Sequence, residues 1–235
     1  MEKGPLQLDF DAGTVLLIDK PKTWTSFDVV RKLKGITRAK KIGHAGTLDP
    51  LATGLLVVCT GKLTKSIQSI QDADKEYVVD FQLGATTPSY DAEFPAENIQ
   101  DASHITAADI AAVLPAFIGD VAQVPPVYSA VKIDGERAYK AARAGRSIEM
   151  RSRTVRIDSI TLSSLENGVA RAVIQCGKGT YIRSLVHDIG QRLGVGAYIL
   201  ELRRTRIGQH HVDAAWQLED LNTAVRAART ASPTP

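Results

Sequence analysis

The chain has 235 residues, 44% of them hydrophobic and 23% charged, with a formal net charge of +3. That mix excludes a disordered, collagen-like or fibrous chain, and no stretch approaches the roughly 18 uncharged apolar residues of a membrane span. Cys59 and Cys176 alone build neither a disulfide framework nor a metal cluster, and the start, MEKGPLQLDFDAG, has no apolar run of the secretory kind, so a cytoplasmic protein is expected.

In chain order, residues 13–20 form a β-branched, apolar run ending at Pro21, which predicts a strand. Thr25-Ser26 offers an N-cap, and Phe27, Val29, Val30 and Leu33 carry helical spacing to Gly35. Residues 55–60 read as a buried strand between Gly54 and Gly61, and residues 63–70 fit a helix. Tyr77, Val79, Phe81 and Leu83 alternate, predicting a half-buried strand. Residues 86–101 look like a loop, 106–117 a helix, 127–133 a strand and 137–144 a short helix. Two strands, 155–165 and 169–176, flank the hairpin signal Asn167-Gly168. Residues 181–193 are helical, 198–202 strand-like, and 216–228 a last helix before a tail expected to fray. Several neighbouring strands are joined too tightly for crossovers. The expected fold class is therefore α/β of the α+β type: one mixed, largely antiparallel sheet with helices packed on it.

The charge is unevenly placed. Residues 20–42 hold eight Lys/Arg against Asp28, residues 125–156 hold eight against three acids, and residues 90–109 hold five acids and no Lys or Arg. Two basic tracts of this density suit a polyanion, although each alone would also fit a solvated helix face. Phosphate-loop spacing fails, because six residues separate Gly54 from Gly61 where the pattern needs four. No dinucleotide, nucleophile-elbow or zinc-protease motif is present, and His44, His104, His187, His210 and His211 lack zinc-ligand spacing.

The chemistry-bearing segment is residues 44–56, His-Ala-Gly-Thr-Leu-Asp-Pro-Leu-Ala-Thr-Gly-Leu-Leu. Asp49 stands before Pro50, which biases it away from helix, and Gly46 and Gly54 permit tight turns on either side. Such a loop can hold one acid at the edge of a cleft, or simply cap a turn. This segment resembles the catalytic motif of the bacterial tRNA pseudouridine-55 synthases, the TruB family. Asp19-Lys20-Pro21 with Thr25-Ser26, Lys75-Glu76-Tyr77, residues 124–132, residues 177–183 and Leu202-Arg203-Arg204 also resemble family motifs, in the family's order, across about residues 13–212.

The resemblance implies isomerisation of a uridine at position 55, in the T-loop of tRNA, without a cofactor. It makes Asp49 the nucleophile, adding to C6 of the base or to C1′ of the ribose, a choice the sequence leaves open. It pairs Arg183 with Asp49, stacks Tyr77 on the uracil, and lets the tyrosine hydroxyl help remove the C5 proton. His44 would fill the stack that the flipped base vacates, Tyr181 and Leu202 would line the pocket, and Lys20 and Pro21 would support the loop, with Lys20 also placed to touch phosphate. Residues 125–153 resemble a thumb-like insertion in which Lys132, Arg137, Lys140, Arg143 and Arg146 face phosphates of the T-arm. The expected organisation is a catalytic domain over 11–213, a helix and tail over 214–235, and a monomer needing no metal, membrane or nucleotide cofactor. Family members usually continue into a C-terminal domain, often of the PUA type, and the 23 residues after Val212 are expected to be too few for one. Pro88 and Thr23 depart from the family pattern, Thr23 standing where a glycine is common.

Overall fold

The structure is a computed structural model that describes residues 8–133, 135–146 and 148–231. It divides into two compact units, one made of the residues up to Tyr77 together with those from Arg203 onward, the other of Val78–Leu202.

The first unit is built around β3 (Thr53–Thr60). Antiparallel β1 (Val15–Lys20) and β2 (Ile42–Ala45) pair with β3, and the Arg203–Arg204 stretch of β10 (Ala197–Ile207) pairs with it in parallel. A two-residue strand, β11 (His210–His211), closes on β10. β3 is buried on both faces, and its alternation sorts the core. Leu56 and Val58 join Leu16, Ile18, Val29, Leu33, Leu221 and Val225 under α1 (Ser26–Thr37) and α6 (Leu218–Ala231). Leu55 and Val57 join Ala45, Ile207 and Ala215 on the other face, where Ile67 and Ile70 of α2 (Ile67–Asp72) pack. The helix expected over 63–70 is a 3-10 turn over Gly61–Ser66 that runs into α2.

Thr25 starts α1 as expected, and with a full capping box: its hydroxyl accepts from the Asp28 N–H at 3.0 Å, and the Asp28 carboxylate accepts from the Thr25 N–H at 3.1 Å. A reciprocal cap of this kind satisfies two orphan donors and fixes where the helix begins. The nearby Thr23 has φ +72°. That conformation is costly for a β-branched residue and free for glycine, which accounts for the glycine common at this position.

In the second unit the sheet order is β10, then β4 (Lys75–Leu83), β9 (Val169–Cys176), β8 (Arg153–Glu166) and the edge strand β5 (Gly119–Gln123). β8 and β9 pair antiparallel through a turn in which Asn167 and Gly168 both have positive φ, the geometry a two-residue Asn-Gly hairpin requires. α3 (Ala107–Val113) is shorter than the expected 106–117, because Pro115 at the following turn converts the chain to 3-10 over Leu114–Phe117. α5 (Ile182–Arg192) buries Ile182, Leu185, Val186 and Ile189. The strand expected over 127–133 is reduced to β6 (Lys132–Ile133), paired with β7 (Glu136–Arg137) as a separate two-stranded ribbon ahead of α4 (Ala138–Arg143). β2 and β5 were not foreseen. The first has three small or polar residues in four, and the second, Gly-Asp-Val-Ala-Gln, has little β propensity, so pairing with neighbours creates both. Among the described residues no helix is long and apolar enough to cross a membrane.

Candidate active site

Asp49 lies in the connection between β2 and β3, half-buried, and its neighbours on both sides are pinned. The Leu48 N–H donates to Ser26 Oγ at 2.9 Å, and Ser26 Oγ donates back to the Leu48 carbonyl at 3.2 Å. The Pro50 carbonyl accepts from the Thr23 N–H at 2.8 Å and from Lys20 Nζ at 3.2 Å. The Ala52 N–H donates to the Asp49 carbonyl at 3.1 Å, closing a turn. These partners sit on β1, the start of α1 and the segment between them, which the Thr25 cap holds in place.

Two fully buried cations complete the frame. Lys20 has 0% exposure, and its ammonium also donates to the carbonyls of Pro21 at 3.0 Å and Trp24 at 2.6 Å. The ammonium is enclosed and turned to backbone carbonyls, which corrects the phosphate contact expected of Lys20. Burial lowers its pKa to about 8, against the opposing pull of the Asp49 carboxylate. Arg204, 1% exposed, donates from Nε to the Leu55 carbonyl at 2.8 Å and from Nη2 to the Gly46 carbonyl at 3.0 Å. Its neighbour on β10, Arg203, points the other way and makes a two-pronged pair with Asp19 at 3.0 and 2.8 Å. Gly54 has φ +96°, and a Cβ there would stand 2.3 Å from the Arg204 carbonyl oxygen, so only glycine lets β10 approach the foot of β3 this closely.

His44 is half-buried on β2 opposite Val58. Burial first, then the Arg204 charge, holds its pKa below the ordinary value, and its Nδ1 is buried with no hydrogen-bond partner. Both causes disfavour the charged form of the ring. Pro21 is half-buried beside the Lys20 ammonium that its own carbonyl receives, and Tyr77 is 8% exposed on β4. The first unit thus gathers Lys20, Pro21, His44 and Asp49 around one loop.

The second unit carries Arg183, Tyr181, Leu202 and the insertion. Arg183, on the first turn of α5, is 4% exposed. Its Nη1 donates to the Ser89 carbonyl at 2.9 Å and its Nη2 to the Tyr128 carbonyl at 3.0 Å, while Nε faces Asp91 Oδ2 at 3.6 Å. Asp91 in turn accepts from Ser89 Oγ at 2.5 Å. Tyr181 precedes α5 and is fixed by Gln123, whose side-chain amide accepts from the Tyr181 N–H at 2.8 Å and donates to its carbonyl at 3.1 Å. The Arg153 guanidinium covers the Tyr181 ring at 4.8 Å. Leu202 is half-buried on β10.

In the insertion, Arg137, Lys140, Arg143 and Arg146 are all exposed. Arg143 pairs with Glu93 at 2.6 Å and Arg146 with Glu136 at 2.6 Å. The Lys132 side chain lies outside the described residues. Sequence reasoning missed Arg204, Asp91, Ser26 and Gln123. For Arg204 a signal existed: two adjacent arginines on a strand must face opposite ways, so one of them faces the interior.

The description TruB family pseudouridylate synthase (N terminal domain) matches residues 34–182, and tRNA pseudouridylate synthase B C-terminal domain matches residues 183–234. A protein named tRNA pseudouridine synthase B from Parabacteroides distasonis is 45% identical over 221 residues, covering 92% of this chain and 94% of that one. Its namesake from Stutzerimonas stutzeri is 46% identical over 211 residues, covering 90% of this chain and 69% of that one. Among solved structures, a Cbf5-Nop10-Gar1 complex contains a chain 34% identical, with a TM-score of 0.73, that matches 93% of this chain over 56% of its own length. A matched family domain over more than half of the sequence, relatives at this identity along nearly its whole length, and a framed Asp49 loop in the family's motif lead to one assignment: the chain belongs to the TruB family of pseudouridylate synthases.

Proposed function

We propose that this chain isomerises the uridine at position 55, in the T-loop of tRNA, to pseudouridine, with Asp49 as nucleophile and no cofactor. Family membership supports the reaction, and the relatives named tRNA pseudouridine synthase B support the substrate. The observation that carries the reading is the framing of Asp49: Leu48 is hydrogen-bonded to Ser26, and Pro50 to Thr23 and Lys20, so the backbone that bears the carboxylate is fixed while the side chain itself remains half-exposed. Preorganisation of this kind is what a nucleophile needs, since a misplacement of about 1 Å can cost on the order of 100-fold in rate.

The N1–C1′ bond breaks, the uracil turns over, C5 bonds to C1′, the C5 proton leaves and N1 takes one up. Atoms and electrons balance within the nucleoside, so the chemistry calls for no oxidant and no group donor. Asp49 forms the covalent intermediate at C1′ or C6. Tyr77 stacks on the base and assists loss of the C5 proton, and Arg183 fixes the reacting carboxylate. His44 takes the place of the flipped base, which costs a few kcal/mol to extrude, and Tyr181, Leu202 and Pro21 line or support the pocket. Arg137, Lys140, Arg143, Arg146 and Lys132 bind T-arm phosphates, giving affinity and salt dependence more than sequence choice. The enzyme works as a cytoplasmic monomer, with the catalytic domain over 11–213, its insertion over 125–153, and a short C-terminal helix and tail.

The site assignment is tested by treating unmodified tRNA transcripts with the protein and locating pseudouridine by nucleoside mass spectrometry and reverse-transcription mapping. One pseudouridine at position 55, lost when that uridine is replaced by cytidine, is the expected result. Pseudouridine elsewhere in tRNA, or formed only in ribosomal RNA fragments, would overturn it.

A further inference from the structure

We infer that Arg204 is a positioning residue for catalysis, a buried guanidinium that ties together the two ends of the Asp49 loop. The inference rests on the function proposed above and adds a residue to it. The loop from Gly46 to Gly54 has Asp49 near its middle, and its two ends must be brought together before the carboxylate has a direction. The β2–β3 pairing does this as far as Ala45 and Val57. Arg204 carries the tie one step further into the loop with one side chain, donating to the carbonyls of Gly46 and Leu55 at 3.0 and 2.8 Å. Its backbone adds a third tie, since Arg204 is paired with Gly54 in the parallel register of β10 and β3.

Stability alone does not explain a cation here. Arg204 heads the fully buried side chains of the molecule, at 1% exposure, and no carboxylate is hydrogen-bonded to it among the described contacts. Burying an ion is costly unless hydrogen bonds offset the lost hydration, and here those hydrogen bonds are all spent on the two carbonyls that flank the loop. What an apolar side chain cannot do is bridge two carbonyls in a fixed plane, and neither can a lysine. The clamp also divides labour with Lys20, which holds Pro50 directly beside Asp49, whereas Arg204 holds the outer ends.

The test compares wild type, Arg204→Met and Arg204→Lys by turnover on tRNA transcript and by amide hydrogen exchange. For both variants kcat should fall about 100-fold while KM for tRNA stays within about threefold, the signature of a misplaced nucleophile and not of lost binding. Amides from Gly46 to Thr53 should exchange about tenfold faster while those of α1 and of β1 keep wild-type protection. A kcat within about threefold of wild type with an unchanged exchange pattern would overturn the inference. So would uniform loss of protection across the first unit in both variants, which is the mark of a purely structural residue. Should Arg204→Lys alone fail to fold, Arg204→Met decides by the same readings. If wild type makes no pseudouridine, the functional reading fails, and the exchange pattern still decides whether Arg204 orders the loop.

Discussion

The Gly46–Gly54 loop of the first unit and the 125–153 insertion of the second are both served by cations, but in opposite ways. The loop is held by Lys20 and Arg204, fully buried and spent on backbone carbonyls. The insertion is rooted through the carbonyls of Val124 and Tyr128, which accept from Ser184 and Arg183. Beyond that root it consists of a two-stranded ribbon, a six-residue helix and exposed arginines in surface ion pairs. Surface pairs contribute roughly 0–1 kcal/mol and exchange partners readily. Chemistry at one carbon atom needs a carboxylate that does not move, whereas a phosphate backbone can be met by side chains that do.

Arg183 belongs with the buried cations, and Arg183→Lys should lower turnover about 100-fold, because a lysine cannot span the Ser89 and Tyr128 carbonyls and still face Asp91. Near-normal turnover would remove it from that class. The next effect concerns pH. The folded pKa of Lys20 is lowered to about 8 from 10.5, chiefly by burial, so its proton leaves as pH climbs past about 8. A neutral amine has two hydrogens for three carbonyls, and kcat should decline about tenfold toward pH 9.5 while tRNA affinity, proposed to rest on exposed arginines and lysines of the insertion, changes no more than a few fold. Unfolding would not be the cause. A lysine with a depressed folded pKa penalises the fold while charged, and that penalty is relieved between pH 8 and 10.5. A flat profile to pH 9.5 would contradict the three-carbonyl clamp.

In the insertion, Arg137→Ala should weaken tRNA binding several-fold and reduce the salt slope by about one. Arg143→Ala should do less, because Arg143 must first give up Glu93 whereas Arg137 has no ion pair among the described residues. Equal losses in filter-binding titrations across salt would show that the surface pairs carry no weight. The smallest effect is on stability. Thr23→Gly relieves the positive φ of an exposed residue but adds unfolded-state entropy, for a net gain of about 0.5 kcal/mol, or 1–2 °C in Tm. A lowered Tm would mean that the Thr23 side chain stabilises the turn.

Much of this was legible in the sequence wherever one local rule acted alone. The Thr25 cap, the alternation from Tyr77 to Leu83, the Asn167-Gly168 hairpin and the α5 stripe all follow from spacing and turn chemistry, and all are found. Elements that depend on a partner were not legible. β5 forms because β8 offers an edge, whereas in 127–133 the carbonyls of Tyr128, Ser129 and Val131 accept from Arg183, Tyr139 and Ala138, which leaves only Lys132–Ile133 as strand. In the site, Asp49 was marked by its motif, and the loop role of Lys20 followed from the resemblance. The Arg203-Arg204 pair on a strand signalled that one arginine turns inward, but not what it holds, because the partners of both Lys20 and Arg204 are carbonyls, which no sequence pattern displays.

The central claim is that Asp49 drives isomerisation of a tRNA uridine, and its most direct test is tritium release from transcript labelled at C5 of uridine, with wild type and Asp49→Asn side by side. Isomerisation must expel that hydrogen. The account predicts release of about one equivalent per tRNA by wild type, and a rate at least about 1000-fold lower for Asp49→Asn with tRNA affinity kept within a few fold. Wild-type-like release from Asp49→Asn, or tight tRNA binding by wild type without release, would contradict it.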